Sequence, residues 1–183
     1  KLEEIANSLF SYTTKEDGIN KIINDLFDCG VGFFTLSHLQ KTYLDGATFI
    51  AEKNPFIVYT CRYDRVDNFW FVLAHEIAHI IHHYEFLSEP ILDNLEEKAE
   101  SEREKEADHY AGIYLNQDKV IQIGKQFGKY LNTTRLQQIS DTTDVSIPVA
   151  LGMLQHFGFL DWRQFAKFKE HVKERIPSKL IMG

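Results

Sequence analysis

Two histidines four residues apart, His75 and His79, flank a carboxylate at Glu76 in the segment His75-Glu76-Ile77-Ala78-His79. On an α-helix, side chains at i and i+4 project from one face, one turn apart. That spacing lets both imidazoles bind a single tetrahedral ion such as Zn²⁺. Glu76, directly after the first ligand, can then take a proton from a water that the ion polarises. Such a site needs a third protein ligand and keeps a fourth position for water. The run Glu104-Lys105-Glu106-Ala107-Asp108 offers one. Glu104 and Asp108 again stand at i and i+4, so Glu104 is expected as the third ligand. Asp108 is expected as the acceptor for a ligand histidine's free N–H. Glu106 is a rival for Glu104. It points about 200° away around a helix turning roughly 100° per residue, and if it bound, Asp108 would lose its partner one turn earlier. Glu85 is a second rival, six residues after His79. With His82 where a turn glycine would be needed, the helix is expected to run on and carry Glu85 away.

Other residues carry weaker signals. His83 follows His79 by four residues, on the same face. It is expected either to approach the site and hydrogen-bond a substrate, or to cap the helix end, where a cationic side chain is favoured. His82 and His109 fall off the ligand face and read as structural. Tyr84 and Tyr110 are candidates for polarising a carbonyl. Phe69, Trp70 and Phe71 read as core packing, and Cys61, in the apolar run PFIVYTC, as a small core residue. His38, His156 and His171 are isolated.

The elements that must hold this constellation can be read from periodicity. Residues 1–30 show apolar spacings of three and four, split near Thr13 and Gly18. Short β-like runs follow at 31–36, 47–51 and 55–60, with turn signals at Leu44-Asp45-Gly46 and Lys53-Asn54-Pro55. Together they predict a small, largely antiparallel sheet. A helix is expected from Asp67 to about Tyr84, with Asp64 or Asp67 as N-cap. Its start, DNFWFVLA, is apolar enough to be buried. Ser88-Glu89-Pro90 breaks it, and a second helix is expected from about Leu95 to Leu115, passing from a charge run into the apolar ADHYAGIYL. Residues 118–176 predict three or four more helices, one opening at Ser146-Ile147-Pro148 and ending at Gly158, and a last one starting at Asp161. The domain reading is N-terminal connecting helices over 1–28 and one α+β domain over 29–183.

Composition narrows the function classes. The chain has 183 residues and a net charge of −7, with a pI near 5.6. An acidic chain without clustered Lys and Arg is not expected to bind nucleic acid, and no stretch approaches the roughly 20 apolar residues of a membrane helix. Two cysteines, Cys29 and Cys61, suit a reducing cytoplasm better than a disulfide-built secreted domain. The chain opens on Lys1 and is expected to begin inside a longer protein.

HEIAHIIHH, followed 25 residues after His79 by EKEADHYAGIYL, resembles the ImmA/IrrE family of zinc metallopeptidases. Tyr110 stands where that family usually has Phe. The stretch LDGATFIAEKNPFIVYTCRYDRVDNFWFVLAHEIAHI, and the later SIPVALGMLQHFGFLDW, are similar to the C-terminal domain of HigA-like antitoxins, which join a helix-turn-helix repressor to such a domain. The resemblance spans about residues 30–165. It implies an α+β fold in which a small sheet packs on a helical zincin-like core with a C-terminal helical region. It also implies Zn²⁺ held by His75, His79 and Glu104, a cytoplasmic bacterial or phage setting, and proteolysis of a regulatory protein of the repressor or antitoxin type. The expected activity is thus a zinc-dependent endopeptidase with Glu76 as general base. The alternative is a non-catalytic, zinc-containing regulatory or partner-binding domain of a transcriptional regulator. Glu76 favours catalysis, because a purely structural ion has no use for a carboxylate beside its ligands.

Overall fold

The computed structural model describes residues 1–36, 44–88 and 96–182. Helix α1 (Leu2–Asn7), α2 (Leu9–Tyr12) and α3 (Gly18–Phe27) open the chain. Strands β1 (Gly32–Leu36), β2 (Gly46–Ala51) and β3 (Asn54–Tyr59) follow, and then α4 (Val66–His82) and α5 (Glu96–Tyr114). Helices α6 (Gln117–Phe127), α7 (Thr133–Thr143) and α8 (Ile147–His156) complete the helical part, and a two-residue strand β4 (Ile181–Met182) closes it. The architecture is α+β, a small sheet packed on a helical core. His38, Leu95 and the Glu89-Pro90 part of the expected helix break lie outside the described residues.

The sheet is mixed, which corrects the antiparallel expectation. Its order is β2-β3-β1-β4. β2 and β3 form an antiparallel hairpin, but β1 runs parallel to both β3 and β4. The hairpin turns on Glu52 and Lys53, both at positive φ, the backbone that a two-residue connection between twisted strands requires. Central strands are covered on both faces, and β1 and β3 accordingly bury Phe33, Ile57 and Tyr59, whereas β2 is the outermost strand with no fully buried residue.

α4 is apolar on nearly every side, as a helix enclosed by other elements must be. Phe69 and Trp70 are fully buried, and the Phe69 ring meets Phe33, Tyr59 and Trp70 edge-on at 5.4–6.2 Å. The sheet covers one side of this helix, and α5 and α8 others. Ile5, Ala6, Leu9, Ile22 and Leu26 of the N-terminal helices join the same core. Cys61 is buried there and free. Asp64 and Asp67 do not cap α4. Its N-cap is Arg65, which makes no side-chain capping bond. Asp64 instead accepts from the backbone N–H groups of Val172 and Lys173, both at 2.9 Å, and ties down the C-terminal segment. Asp67 pairs with Arg65. Helix α8 starts after Ser146 with proline in its first turn, as expected. The helix expected at Asp161 does not form. The side chain of Asp161 accepts from Arg163 N–H at 2.8 Å, and turns and short 3-10 segments carry the chain onward.

Candidate metal centre

His75 and His79 point from α4 into a cleft of about 600 Å³ between that helix, the start of β2 and the exposed face of α5. Their Nε2 atoms lie 3.0 Å apart. Glu104, from α5, brings one carboxylate oxygen to 3.1 Å from His75 Nε2 and the other to 3.2 Å from His79 Nε2. A tetrahedral site with bonds of about 2.0–2.1 Å separates its donors by roughly 3.3 Å, so this spacing suits an ion at the centre. Among the described residues, these three form the group whose donor atoms cluster within 4.8 Å of one another. The imidazoles come from an enclosed helix and are 15% and 11% exposed, while the Glu104 side chain is 51% exposed. The donor cluster is therefore enclosed on one side and open to solvent on the other.

The neighbouring polar groups assign the tautomers of the two histidines. His75 Nδ1 lies 2.8 Å from Asp108 Oδ1. An ionised carboxylate only accepts, so the N–H sits on Nδ1 and the Nε2 lone pair faces Glu104. His79 Nδ1 lies 3.0 Å from His83 Nδ1, and His83 Nε2 lies 3.1 Å from Glu106 Oε2. Lone pairs and carboxylate oxygens thus converge on one point, an arrangement that calls for a cation. Protonation follows the same field. When the two imidazoles instead carry protons on Nε2, their hydrogen bonds to Glu104 hold its carboxyl far below the usual carboxylate range. Burial pulls the His75 imidazole down, but the Glu104 hydrogen bond and the carboxylates of Glu76, Glu104 and Asp108 outweigh it and leave it raised.

Glu76 shares α4 with the histidines but reaches toward the sheet. It is buried, and Thr48 of β2 donates to its Oε2 at 2.7 Å. Burial pushes the Glu76 carboxyl above the usual range, against the opposing pull of Thr48 and the two histidines. Gly46 passes so close that a methyl there would lie 2.7 Å from Glu76 Oε1 and 2.5 Å from a Val72 methyl. Sequence reading missed both Thr48 and Gly46. Gly46 reads locally as a turn residue and Thr48 as one position of an alternating strand.

Several other expectations meet the geometry here. α4 stops at His82 instead of running on. Glu85 falls in a 3-10 turn, exposed and outside the donor cluster. Glu106 does not simply point away, because its side chain reaches His83. His83 is 4% exposed and lies just past the helix end, against His79. Tyr84 donates to the Lys53 carbonyl at 3.2 Å and Tyr110 stacks on His82 at 3.6 Å, so neither lines the cleft. His82 is bonded at 3.0 Å to the Tyr114 hydroxyl. Phe71 is not core. It lines the cleft beside His75, ring centres 6.5 Å apart.

A model of the Peptidase_M78 family, described as the IrrE N-terminal-like domain, matches residues 31–147 and so contains both segments of the cluster. The chain belongs to this metallopeptidase family. No curated protein matches the chain.

Proposed function

We propose that the protein is a zinc-dependent endopeptidase in which His75, His79 and Glu104 hold the ion and Glu76 is the general base. The observation that carries this reading is the convergence of two imidazole nitrogens and a carboxylate on one point, with a second, buried carboxylate following His75 on the same helix. Zinc bound there would supply Lewis acidity, drawing the pKa of water toward 7 and polarising a peptide carbonyl. Glu76 accepts the proton of the attacking water and passes it to the leaving amine. Its raised pKa brings it nearer the working pH for both transfers, and Thr48 keeps its carboxylate aimed. Asp108 holds the His75 ring in the tautomer that offers Nε2.

The outermost position of β2 supports an extended peptide as substrate. Gly46, Ala47 and Thr48 line the cleft on β2, an edge strand of the sheet among the described residues. An edge strand offers unpaired backbone groups to which a peptide can add as a further strand. We therefore place the cut in an extended segment of a partner protein, of the regulatory repressor or antitoxin type that the sequence resemblance implies, within a reducing cytoplasm. The test is to incubate zinc-loaded protein with a folded protein and with its unfolded form, and to identify fragments by mass spectrometry. Cutting confined to the unfolded form, and stopped by a zinc chelator, is the expected result. Zinc held tightly with no cleavage of any unfolded protein or partner would replace this reading with the regulatory-domain one.

Two substitutions probe the supports. Asp108→Ala should weaken zinc affinity about 10–100-fold without abolishing binding, as removal of a ligand's orienting carboxylate does. Competition against a chelator of known affinity measures this, and unchanged affinity would remove Asp108 from the site. Gly46→Ala should lower kcat/KM about 100-fold while zinc content stays at the wild-type level, because the methyl displaces Glu76 and misplacement by an ångström costs that much. Wild-type turnover in this variant would mean that the Glu76 position is not critical.

A further inference from the structure

We infer that Glu106 is a positioning residue that fixes, through His83, which nitrogen His79 offers to the metal. The inference rests on the zinc reading above, and each step of it follows from hydrogen-bond capacity. An ionised Glu106 has no proton to give, so His83 Nε2, 3.1 Å from Glu106 Oε2, carries the hydrogen and donates. A neutral imidazole has one N–H, so His83 Nδ1 is then a lone pair and accepts. His79 Nδ1, 3.0 Å away, must donate to it. The remaining lone pair of His79 lies on Nε2, the atom that faces His75 Nε2 and Glu104. The two ligand histidines are thus oriented differently. His75 has a carboxylate of its own in Asp108, whereas His79 receives the influence of one through a second imidazole.

Burial separates the two links of this chain. The His83 side chain is 5% exposed and so largely shielded from solvent, and its tautomer depends on the groups beside it. The Glu106 side chain is 52% exposed, so replacing it leaves the core intact. Three alternate positions of α5 thereby act on the two helix ligands: Glu104 on both, Asp108 on His75, and Glu106 on His79 at one remove.

The experiment compares zinc affinity by chelator competition with the histidine tautomers read from long-range ¹H–¹⁵N spectra of the zinc-loaded protein. In the wild type, His83 should be a single Nε2–H tautomer. Glu106→Ala should lower zinc affinity about tenfold and turn the His83 signals into a tautomer mixture. Glu106→Gln, whose side-chain oxygen still accepts from Nε2–H, should keep the single tautomer and most of the affinity. Glu102→Ala removes an exposed charge from the same helix, paired among the described residues with Lys105, and should change neither readout. Affinity within twofold of wild type in Glu106→Ala would overturn the inference. So would weaker zinc binding with the His83 tautomer unchanged, since Glu106 would then act only as a distant charge. Absence of zinc from the wild type itself would overturn the metal reading and this inference together, and is seen before any variant is made.

Discussion

Glu76→Gln is expected to reduce peptide cleavage by about 10²–10⁴-fold, the range that a positioned general base contributes, while zinc remains at one ion per chain. The amide has nearly the shape of the carboxyl, and its oxygen can still accept the Thr48 hydroxyl proton that now reaches Oε2 at 2.7 Å. The buried environment is therefore kept, and what is lost is the ability to take a proton from water. The ligand atoms His75 Nε2, His79 Nε2 and the Glu104 oxygens are untouched. The measurement pairs kcat on an unfolded protein substrate with elemental analysis of the same sample. Turnover within tenfold of wild type would assign the base elsewhere. Loss of zinc along with activity would mean that Glu76 supports the ligand set and not the proton transfer.

His79→Ala should lose zinc altogether. Two remaining ligands cannot hold a tetrahedral site, and His79 is central to the cluster, 3.0 Å from His75 Nε2 and 3.2 Å from a Glu104 oxygen. Stability gives a second readout. A ligand that binds only the folded state adds about 2.7 kcal/mol at one hundred times its Kd, so zinc should raise the melting temperature of the wild type and leave that of the variant unmoved. A variant that still purifies with stoichiometric zinc would show that His79 is not a ligand. Glu106 or His83 would then be the first replacements to examine.

Spacing along a helix made much of this cluster legible. His75 and His79, and likewise Glu104 and Asp108, share a face because the α-helix repeats every 3.6 residues, and the structure brings those two faces together. The same rule misled for Glu106. Two residues from Glu104 the direction is wrong for a shared ligand, but a flexible glutamate in the middle of α5 still reaches His83, just past the end of α4. Glu85 illustrates the opposite case. It is excluded as expected, yet α4 ends at His82, so the helix does not carry it away. The N-cap expectation for Asp64 failed because a capping carboxylate and one that ties down a distant segment have the same local sequence, and only the arrival of Val172 and Lys173 distinguishes them.

Local chemistry was legible along the chain: which residues can ligate, that they lie on helices, that the chain is α+β, and that a short apolar run such as ATFIA forms a strand. These are properties of side-chain type and of periods of two and 3.6 residues, which act over one or two turns. Strand order and direction depend on contacts between residues far apart in the chain, and alternation along a strand is the same for a parallel or an antiparallel neighbour. The mixed sheet, the edge position of β2 and the placing of Thr48 and Gly46 against Glu76 were therefore decided only by the tertiary structure. So was the bond from Glu106 to His83, because a half-exposed glutamate has many rotamers, and only the buried imidazole beside it selects one.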